Sequence, residues 1–236
     1  VSATAATVQQ SFAMLSGMST AQQSPSAAKA LARERVKGLW IAIPTPFTAD
    51  GRHVDEDALA ASVEHYVEGL RVDGIFCGGV MGEFWALTLA ERKRVHALVA
   101  AQVAGRVPVM AQVGHHVFAD MIELCEHATA AGVEFGIAMN PYYPPSPPPE
   151  LVLAWYEQLA RASELPMFLF NTMYAGYTLA PELIAELADL PNVCGIKNPQ
   201  GGEHLLRVQE LAGDRIVVTD ASERHWLGLH SEHGFR

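Results

Sequence analysis

The sequence predicts a parallel α/β fold of the (β/α)₈ barrel type, and three observations support this prediction. Seven short apolar segments alternate with segments whose apolar residues recur at helical spacing. The apolar segments are hydrophobic throughout and not alternating, which indicates strands buried on both faces, as in a parallel sheet covered by helices. Polar or glycine-rich residues follow nearly every one of them, as the catalytic face of a barrel requires.

Each predicted strand is a short apolar run that stops at a proline, a glycine or a polar residue. In chain order the runs are GLWIAIPTPF, DGIFCGG, VPVMAQVG, EFGIAMNP, LPMFLFN, NVCGIK and RIVVTD. Each run is followed by a segment with helical periodicity. In order, these segments are DEDALAASVEHYVEGL, TLAERKRVHALVAAQVAG, FADMIELCEHATAAG, PPELVLAWYEQLARASE, APELIAELADL, EHLLRVQELAG and the beginning ERHWLGLHSEHG.

Local signals mark the ends of several predicted helices. The first helix has acidic residues in its first turn, and the second has Thr88 as N-cap with Glu91 three residues later, which makes a capping box. Gly132 closes the third helix, prolines open the fourth, and Pro181 lies near the first turn of the fifth. Repeated strand–helix units joined by short links predict a parallel sheet.

Two parallel architectures compete at this point, an open doubly wound sheet and a closed barrel. The first strand is not followed by G-x-G-x-x-G, so the usual nucleotide-binding signature of the open sheet is missing. Seven units are one short of barrel closure, and an unclosed barrel would expose the apolar edges of its first and seventh strands. We therefore expect that the eighth unit is missing from this chain and not from the natural protein.

The domain organisation is predicted to be one barrel preceded by a tail. Residues 1–36 are rich in alanine, serine, glutamine and threonine and are expected to be a flexible N-terminal tail. Residues 37–236 are expected to form the barrel domain. With 236 residues and half of them hydrophobic, the chain has enough apolar material for one substantial core.

Composition also excludes several classes of function. The formal net charge of −10 argues against a nucleic-acid partner and against a polybasic membrane surface. No stretch approaches the roughly 20 apolar residues of a membrane span, and no secretory signal is visible. The three cysteines are widely spaced in apolar contexts and predict buried thiols of a cytoplasmic protein, and the histidines show no metal-ligand spacing.

Lys197 is the first candidate for chemistry. The chain has four lysines, and only Lys197 ends an apolar strand, where the catalytic groups of a barrel stand. Partial desolvation there would lower the pKa of the amine and free it as a nucleophile towards a carbonyl. The alternative from position alone is a lysine whose stem packs on the barrel while its ammonium group reaches water.

Three other strand ends carry candidate groups. The loop Gly78–Glu83 has closely spaced glycines that let backbone N–H groups approach a carboxylate or a phosphate, although it could also be a tight turn. Tyr142 and Tyr143 follow the fourth strand, where a phenol could relay a proton or pack under the proline-rich loop. His115 and His116 follow the third strand and are possible general bases, although histidines are common in surface loops.

These residues resemble the dihydrodipicolinate synthase / N-acetylneuraminate lyase family of class I Schiff-base lyases. The resemblance runs from about Lys37 to about Ser222 and depends on the order and spacing of several motifs together. The motifs are IPTPF at 43–47, GGVMGEFWALTLAER at 78–92, NPYYPP at 140–145, FNTMYAGYTLAPELI at 170–184 and GIKNPQGG at 195–202.

The resemblance implies a (β/α)₈ barrel with additional C-terminal helices, assembled as a homo-oligomer, usually a tetramer built from dimers. It implies that Lys197 forms a covalent imine with pyruvate or another 2-oxo acid, without a separate cofactor. Gly79, Val80, Met81 and Gly82 fall where the family binds the substrate carboxylate. Tyr143 falls on a tyrosine that, in dihydrodipicolinate synthases, reaches into a neighbouring subunit's site.

Three departures from the family pattern affect the expected chemistry. The family usually has a catalytic tyrosine before an asparagine at the end of the fifth strand, and here the pair is Phe170 and Asn171, which we expect to border the substrate. Threonines are common in the glycine loop, but this chain has Val80 and Met81. The loop TMYAGYTLA lacks the arginine that dihydrodipicolinate synthases use to hold an acidic substrate.

The leading hypothesis is therefore a Schiff-base-forming aldolase or dehydratase with Lys197 as the nucleophile. The alternative is an impaired barrel of the same family that binds a small 2-oxo acid without turnover, because the hydroxyl relay is missing. A third hypothesis is an open-sheet binding protein. Substitutes for the missing relay are, by loop order, Tyr143, Tyr174, Tyr177 and His115 or His116.

Overall fold

A computed structural model of the protein describes residues 26–142, 146–221, 228, 231 and 232. The described residues contain seven strands: β1 (Trp40–Ala42), β2 (Gly74–Cys77), β3 (Val109–Gln112), β4 (Phe135–Met139), β5 (Met167–Phe170), β6 (Val193–Lys197) and β7 (Val217–Thr219). They also contain seven α-helices: α1 (Ala27–Arg35), α2 (Glu56–Glu64), α3 (Leu89–Val103), α4 (Phe118–Ala130), α5 (Pro149–Ala162), α6 (Pro181–Leu187) and α7 (Gly202–Ala212).

The seven described strands form one parallel sheet in the order β1-β2-β3-β4-β5-β6-β7. Each strand pairs with the next along the chain, and a helix or helical turn covers each crossover. A doubly wound sheet reverses its strand order, whereas a barrel keeps it sequential. The curled sheet therefore confirms the predicted barrel-type fold and excludes the open alternative, and the described residues include no eighth strand.

The helix signals that the sequence contains are present in the structure. Thr88 and Glu91 form the predicted capping box at the start of α3. Gly132 has a φ of +85° just after α4, a backbone conformation that glycine adopts without strain. Pro181 is the first residue of α6.

The barrel has two apolar layers. One lies between the strands and the surrounding helices, and the other fills the barrel interior with aromatic side chains, among them Phe76, Phe135, Phe168 and Phe170. Gly195 in β6 leaves room for the Phe168 ring, because a side chain at residue 195 would overlap that ring. The interior is therefore packed beneath the carboxyl ends of the strands, and open space remains above it.

The prediction of a flexible tail through residue 36 is wrong for residues 26–36. These residues form α1 and its ends, which pack against β6 and β7. Ala32 and Val36 are buried among the interior side chains, while Arg35 makes a bidentate ion pair with Glu134 at 2.8 and 2.9 Å. Helix α1 thus closes the amino-terminal end of the barrel. Residues 1–25 lie outside the described residues.

The described residues also contain no helix that is long and apolar enough to cross a membrane. Cys77, Cys125 and Cys194 are free thiols and are buried, as the apolar contexts of these cysteines predict. Burial raises the pKa of Cys77 to about 12 and that of Cys125 to about 11, so these thiols are poor nucleophiles.

Candidate active site

A cavity of about 160 Å³ lies at the carboxyl end of the strands. Its walls are formed by residues of the strands β1, β2, β5 and β6, by the loops after β2, β5 and β6, and by the segment after β7. The residues that line it are Ala42, Phe76, Val80, Met81, Phe170, Thr172, Tyr174, Lys197, Pro199 and Ala221. In this described lining, Lys197 is the one charged side chain, so the cavity is apolar apart from a single amine and two hydroxyl groups.

The Lys197 amine stands between two aromatic rings. Its Nζ lies 4.6 Å from the centroid of the Phe170 ring and 5.0 Å from that of Phe76. No carboxylate pairs with it among the residues that the structure describes. Burial lowers the pKa of Lys197 from 10.5 to about 8, because the ammonium form loses hydration that the rings only partly replace.

The glycine loop after β2 presents unpaired amides. Residues Gly78 and Glu83 have φ values of +62° and +51°, and these left-handed conformations turn the loop back on itself. The backbone N–H groups of Val80, Met81 and Gly82 donate to no acceptor within the described residues. The Gly82 carbonyl accepts a hydrogen bond of 2.8 Å from the Thr45 hydroxyl, which fixes the loop to the segment after β1.

Gly79 lies too close to an aromatic ring for any side chain. A Cβ atom at this position would lie 2.5 Å from Cζ of Phe76. The Phe76 ring in turn contacts Phe170 edge-on, with centroids 6.1 Å apart. The loop backbone, the two rings and the Lys197 amine therefore pack as one unit.

Phe170 and Asn171 face opposite sides of the barrel wall. Phe170 is paired with Lys197 in the β5–β6 register and lines the cavity. The Asn171 side chain is buried in hydrogen bonds to Asn198 at 2.9 Å and to the Leu179 amide at 2.7 Å. The structure thus brings Phe170 to the amine, whereas Asn171 is not among the residues that line the cavity and holds the following loop in place.

The proposed substitutes for the hydroxyl relay have different locations. Tyr174 lines the cavity. The Tyr177 hydroxyl donates a hydrogen bond of 2.8 Å to the Pro141 carbonyl, His115 faces Asp120 at 3.4 Å, and the His116 ring lies 3.9 Å from the ring of Tyr142. None of these three lines the cavity, and Tyr143 lies outside the described residues.

Sequence reasoning missed five of the ten described residues that line the cavity: Ala42, Phe76, Thr172, Pro199 and Ala221. Alternation along the chain was the available signal, since Phe76 lies two residues before the glycine loop and Thr172 two residues after Phe170. The exposed fraction of Thr172 is 2%, yet it borders the cavity.

Two buried basic side chains lie outside the cavity, under the loop after β3. Arg92 donates to the carbonyl oxygens of Gln112 and Gly114 at 2.7 and 3.0 Å, and burial lowers its pKa to about 10. His96 is fully buried nearby, and burial together with the Arg92 charge lowers its pKa to about 3. His96 is therefore neutral at physiological pH.

The sequence of this chain is similar to those of one family of known proteins. The profile of the dihydrodipicolinate synthetase family matches residues 35–229. The chain is 35% identical over 198 residues to an N-acetylneuraminate lyase of Rhizobium meliloti, covering 83% of this chain and 64% of that protein. It is 31% identical over 199 residues to a 4-hydroxy-tetrahydrodipicolinate synthase of Shewanella piezotolerans, covering 82% of this chain and 67% of that protein.

Solved structures agree with these sequence matches. The prophage protein YagE of E. coli, solved in complex with pyruvate, has a TM-score of 0.76 and 31% identity, over 81% of this chain and 65% of that one. A dihydrodipicolinate synthase of Acinetobacter baumannii, also complexed with pyruvate, has a TM-score of 0.77 and 28% identity, over 82% and 66%. The chain thus spans about two thirds of the length of the relatives that it matches.

Proposed function

The chain belongs to the dihydrodipicolinate synthetase family, and from this premise we propose that it is a Schiff-base-forming lyase, an aldolase or a dehydratase. Its substrate is pyruvate or another 2-oxo acid, and Lys197 is the nucleophile. The observation that carries the proposal is the Lys197 amine, which is largely buried, lacks a carboxylate partner among the described residues and borders a cavity. Two of the related barrels described above were solved with pyruvate bound.

The lowered pKa makes the amine reactive near neutral pH. A lysine with a pKa of about 8 is about one tenth neutral at pH 7, whereas an ordinary lysine is neutral in well under one molecule per thousand. The neutral amine attacks the ketone carbon, and loss of water gives a protonated imine. This imine withdraws electrons, so that a carbon–carbon or carbon–oxygen bond next to it can form or break.

The unpaired amides of Val80, Met81 and Gly82 are suited to the other end of a 2-oxo acid. A carboxylate accepts hydrogen bonds from N–H groups, and bonds to a charged acceptor are the stronger kind. Phe170 and Met81 would lie along the carbon skeleton between the carboxylate and the amine. No cofactor is needed for this chemistry, because the lysine imine itself is the electron sink.

We further propose a cytoplasmic homo-oligomer, a dimer or a tetramer, in which Tyr143 approaches the site of a neighbouring copy. Large apolar side chains are exposed on the described surface away from the cavity, among them Leu70, Trp85, Val117 and Leu151. Such side chains are often covered in assemblies. Sedimentation velocity of the purified chain tests this proposal, and a monomer at all concentrations would contradict it.

An impaired barrel that binds a 2-oxo acid without turnover is the second candidate. Val80, Met81 and Phe170 favour it, because none of them can carry a proton at positions that border the cavity. General acid–base catalysis is worth roughly 10²–10⁴ in rate, so its loss would leave binding intact and turnover slow.

Borohydride trapping distinguishes these possibilities. The protein is incubated with pyruvate and a panel of other 2-oxo acids, reduced, and digested for mass spectrometry. We expect an adduct on Lys197, lost in Lys197→Met and kept in Lys37→Met, a change at an exposed lysine. An adduct with product formation supports the lyase, and an adduct without it supports the impaired barrel. Absence of any adduct contradicts both.

A further inference from the structure

Thr172 lies in the turn that follows strand β5 and borders the cavity. Phe170 and Thr172 both line the cavity, while the side chain of Asn171 between them is hydrogen-bonded to Asn198 and to the Leu179 amide. The Thr172 amide donates a 3.0 Å hydrogen bond to the Phe170 carbonyl, which holds the two residues in a tight turn. The threonine is thereby held at the cavity wall, in the loop that follows Phe170.

The Thr172 hydroxyl has an unused proton. Its oxygen accepts a long 3.4 Å hydrogen bond from the Tyr174 amide, but the O–H group donates to no acceptor in the described part of the chain. The side chain is almost inaccessible to bulk water. A buried hydroxyl normally donates a hydrogen bond, so this one is free to act on a bound molecule.

The other hydroxyl of the described cavity lining belongs to Tyr174. Its side chain is among the most exposed of the large apolar and aromatic residues, at 70%, so it stands where the cavity meets solvent. The cavity therefore has one buried and one exposed hydroxyl group within its described lining.

We propose that the Thr172 hydroxyl carries the proton between the Lys197 nitrogen and the substrate oxygen, and that Tyr174 connects this site with bulk water. The inference rests on the proposed function and supplies a relay where Phe170, Val80 and Met81 cannot. Thr172 is thus a catalytic residue of the imine-forming step.

The proton balance of the step is simple. When the neutral Lys197 amine attacks the ketone carbon, a C–N bond forms and the C=O electron pair moves to oxygen. The Thr172 hydroxyl donates its proton to that oxygen while accepting one from the nitrogen, so the threonine is unchanged at the end. A second proton, from bulk water past Tyr174, converts the new hydroxyl into water, which leaves as the C=N bond forms.

A hydroxyl is suited to this role because it is both donor and acceptor. Threonine is too weak an acid to ionise by itself, so the two transfers must be concerted. The side chain therefore needs to touch both atoms at once, and Thr172 lines the same cavity as Lys197.

The test is the single-turnover rate of imine formation with pyruvate, measured by cyanoborohydride trapping. Thr172→Val keeps the shape and removes the hydroxyl, Thr172→Ser keeps the hydroxyl, and Thr178→Val is the matched control at an exposed residue of the same loop. We expect about a 10- to 100-fold slower rate for T172V, within about threefold of the unaltered rate for T172S, and no change for T178V.

The outcomes are separable. Trapping of T172V at the unaltered rate overturns the relay, as does an equal loss in folded T172V and T172S, which would indicate packing alone. If T172V fails to fold by circular dichroism, Thr172→Ala replaces it, with the same expected loss. If the unaltered protein forms no adduct, the proposed function itself is overturned. If an adduct forms at a rate that does not depend on Thr172, only the relay is overturned.

Discussion

The Lys197 nitrogen lies 4.6 Å from the centroid of the Phe170 ring, directly across the register of β5 and β6. The ring face attracts the ammonium ion, a contribution of roughly 0.5–2 kcal/mol, but it offers neither a proton nor a lone pair. The net result is still an amine whose charged form is disfavoured by burial. The site is therefore prepared for nucleophilic attack and poorly equipped for the proton transfers that follow.

Phe170→Tyr should accelerate imine formation with pyruvate by about 10- to 100-fold, because it places a phenol beside the amine and inside the cavity. Combining it with Met81→Thr should increase the gain. Phe118→Tyr, a partly buried position on α4, is the control and should leave the rate unchanged. A Phe170→Tyr protein that is folded but no faster would show that proton transfer does not limit the step.

The reactivity of Lys197 towards acetic anhydride should reach half its maximum near pH 8 and then level off, since only the neutral amine reacts. A free lysine derivative in the same tube should continue to gain reactivity up to about pH 10.4. Peptide mass spectrometry after pulse labelling measures both. Parallel profiles for the two amines would contradict a desolvated Lys197.

Gly79→Ala should weaken pyruvate binding by about tenfold or more, because the new methyl group would displace the Phe76 ring, which packs beside the Lys197 amine. The matched control is Gly202→Ala at the start of α7, where a Cβ meets nothing within 4 Å. The concentration of pyruvate that gives half-maximal trapping reports the effect. Equal values for both variants would argue against a rigid glycine loop at the substrate site.

Helix α1 provides a test of the closed barrel end. Ala32→Arg inserts a long charged side chain into a position with no exposed surface and should lower the free energy of unfolding by about 3 kcal/mol or more. Ala30→Arg, on the exposed face of the same helix, should change it by less than about 0.5 kcal/mol. Urea denaturation of both variants makes the comparison, and similar midpoints would show that α1 contributes little to stability.

Much of the fold is encoded locally and could be predicted. The apolar runs and the Thr88–Glu91 capping box are local patterns, and they place strands and helix ends correctly. Helix α1 was missed because its stability is not local. Its segment has low hydrophobicity, and its position depends on residues far along the chain: Ala32 is buried against the barrel interior, and Arg35 pairs with Glu134.

The candidate site could also be predicted in part from the sequence. Lys197 could be singled out because it ends an apolar strand, and Phe170 because it ends the neighbouring one. The environment of the amine could not be predicted, since the approach of the Phe76 ring depends on strand register and on the missing side chain of Gly79. Thr172 follows Phe170 by two residues, as alternation requires of a residue on the same side, but it was missed because it lies beyond the end of β5, where alternation need not continue.

Buried His96 should make the folding stability of the protein decrease in acid, and a single substitution of His96 should remove this effect. Burial first, and then the charge of Arg92, lower its pKa from 6.5 to about 3. At pH values between these two pKa values, His96 is protonated in the unfolded chain but not in the folded chain. The free energy of unfolding therefore falls as the pH decreases through this range. At about pH 4.5 the loss amounts to about 2–3 kcal/mol.

His96→Leu should therefore lose less stability than the unaltered protein between about pH 7.5 and 4.5, by about that amount. His53→Leu, at an exposed loop position, should behave like the unaltered protein. Urea unfolding at several pH values measures the difference. Parallel pH profiles for His96→Leu and the unaltered protein would mean that His96 accepts a proton in the folded state, for which Arg92 would have to move away from it.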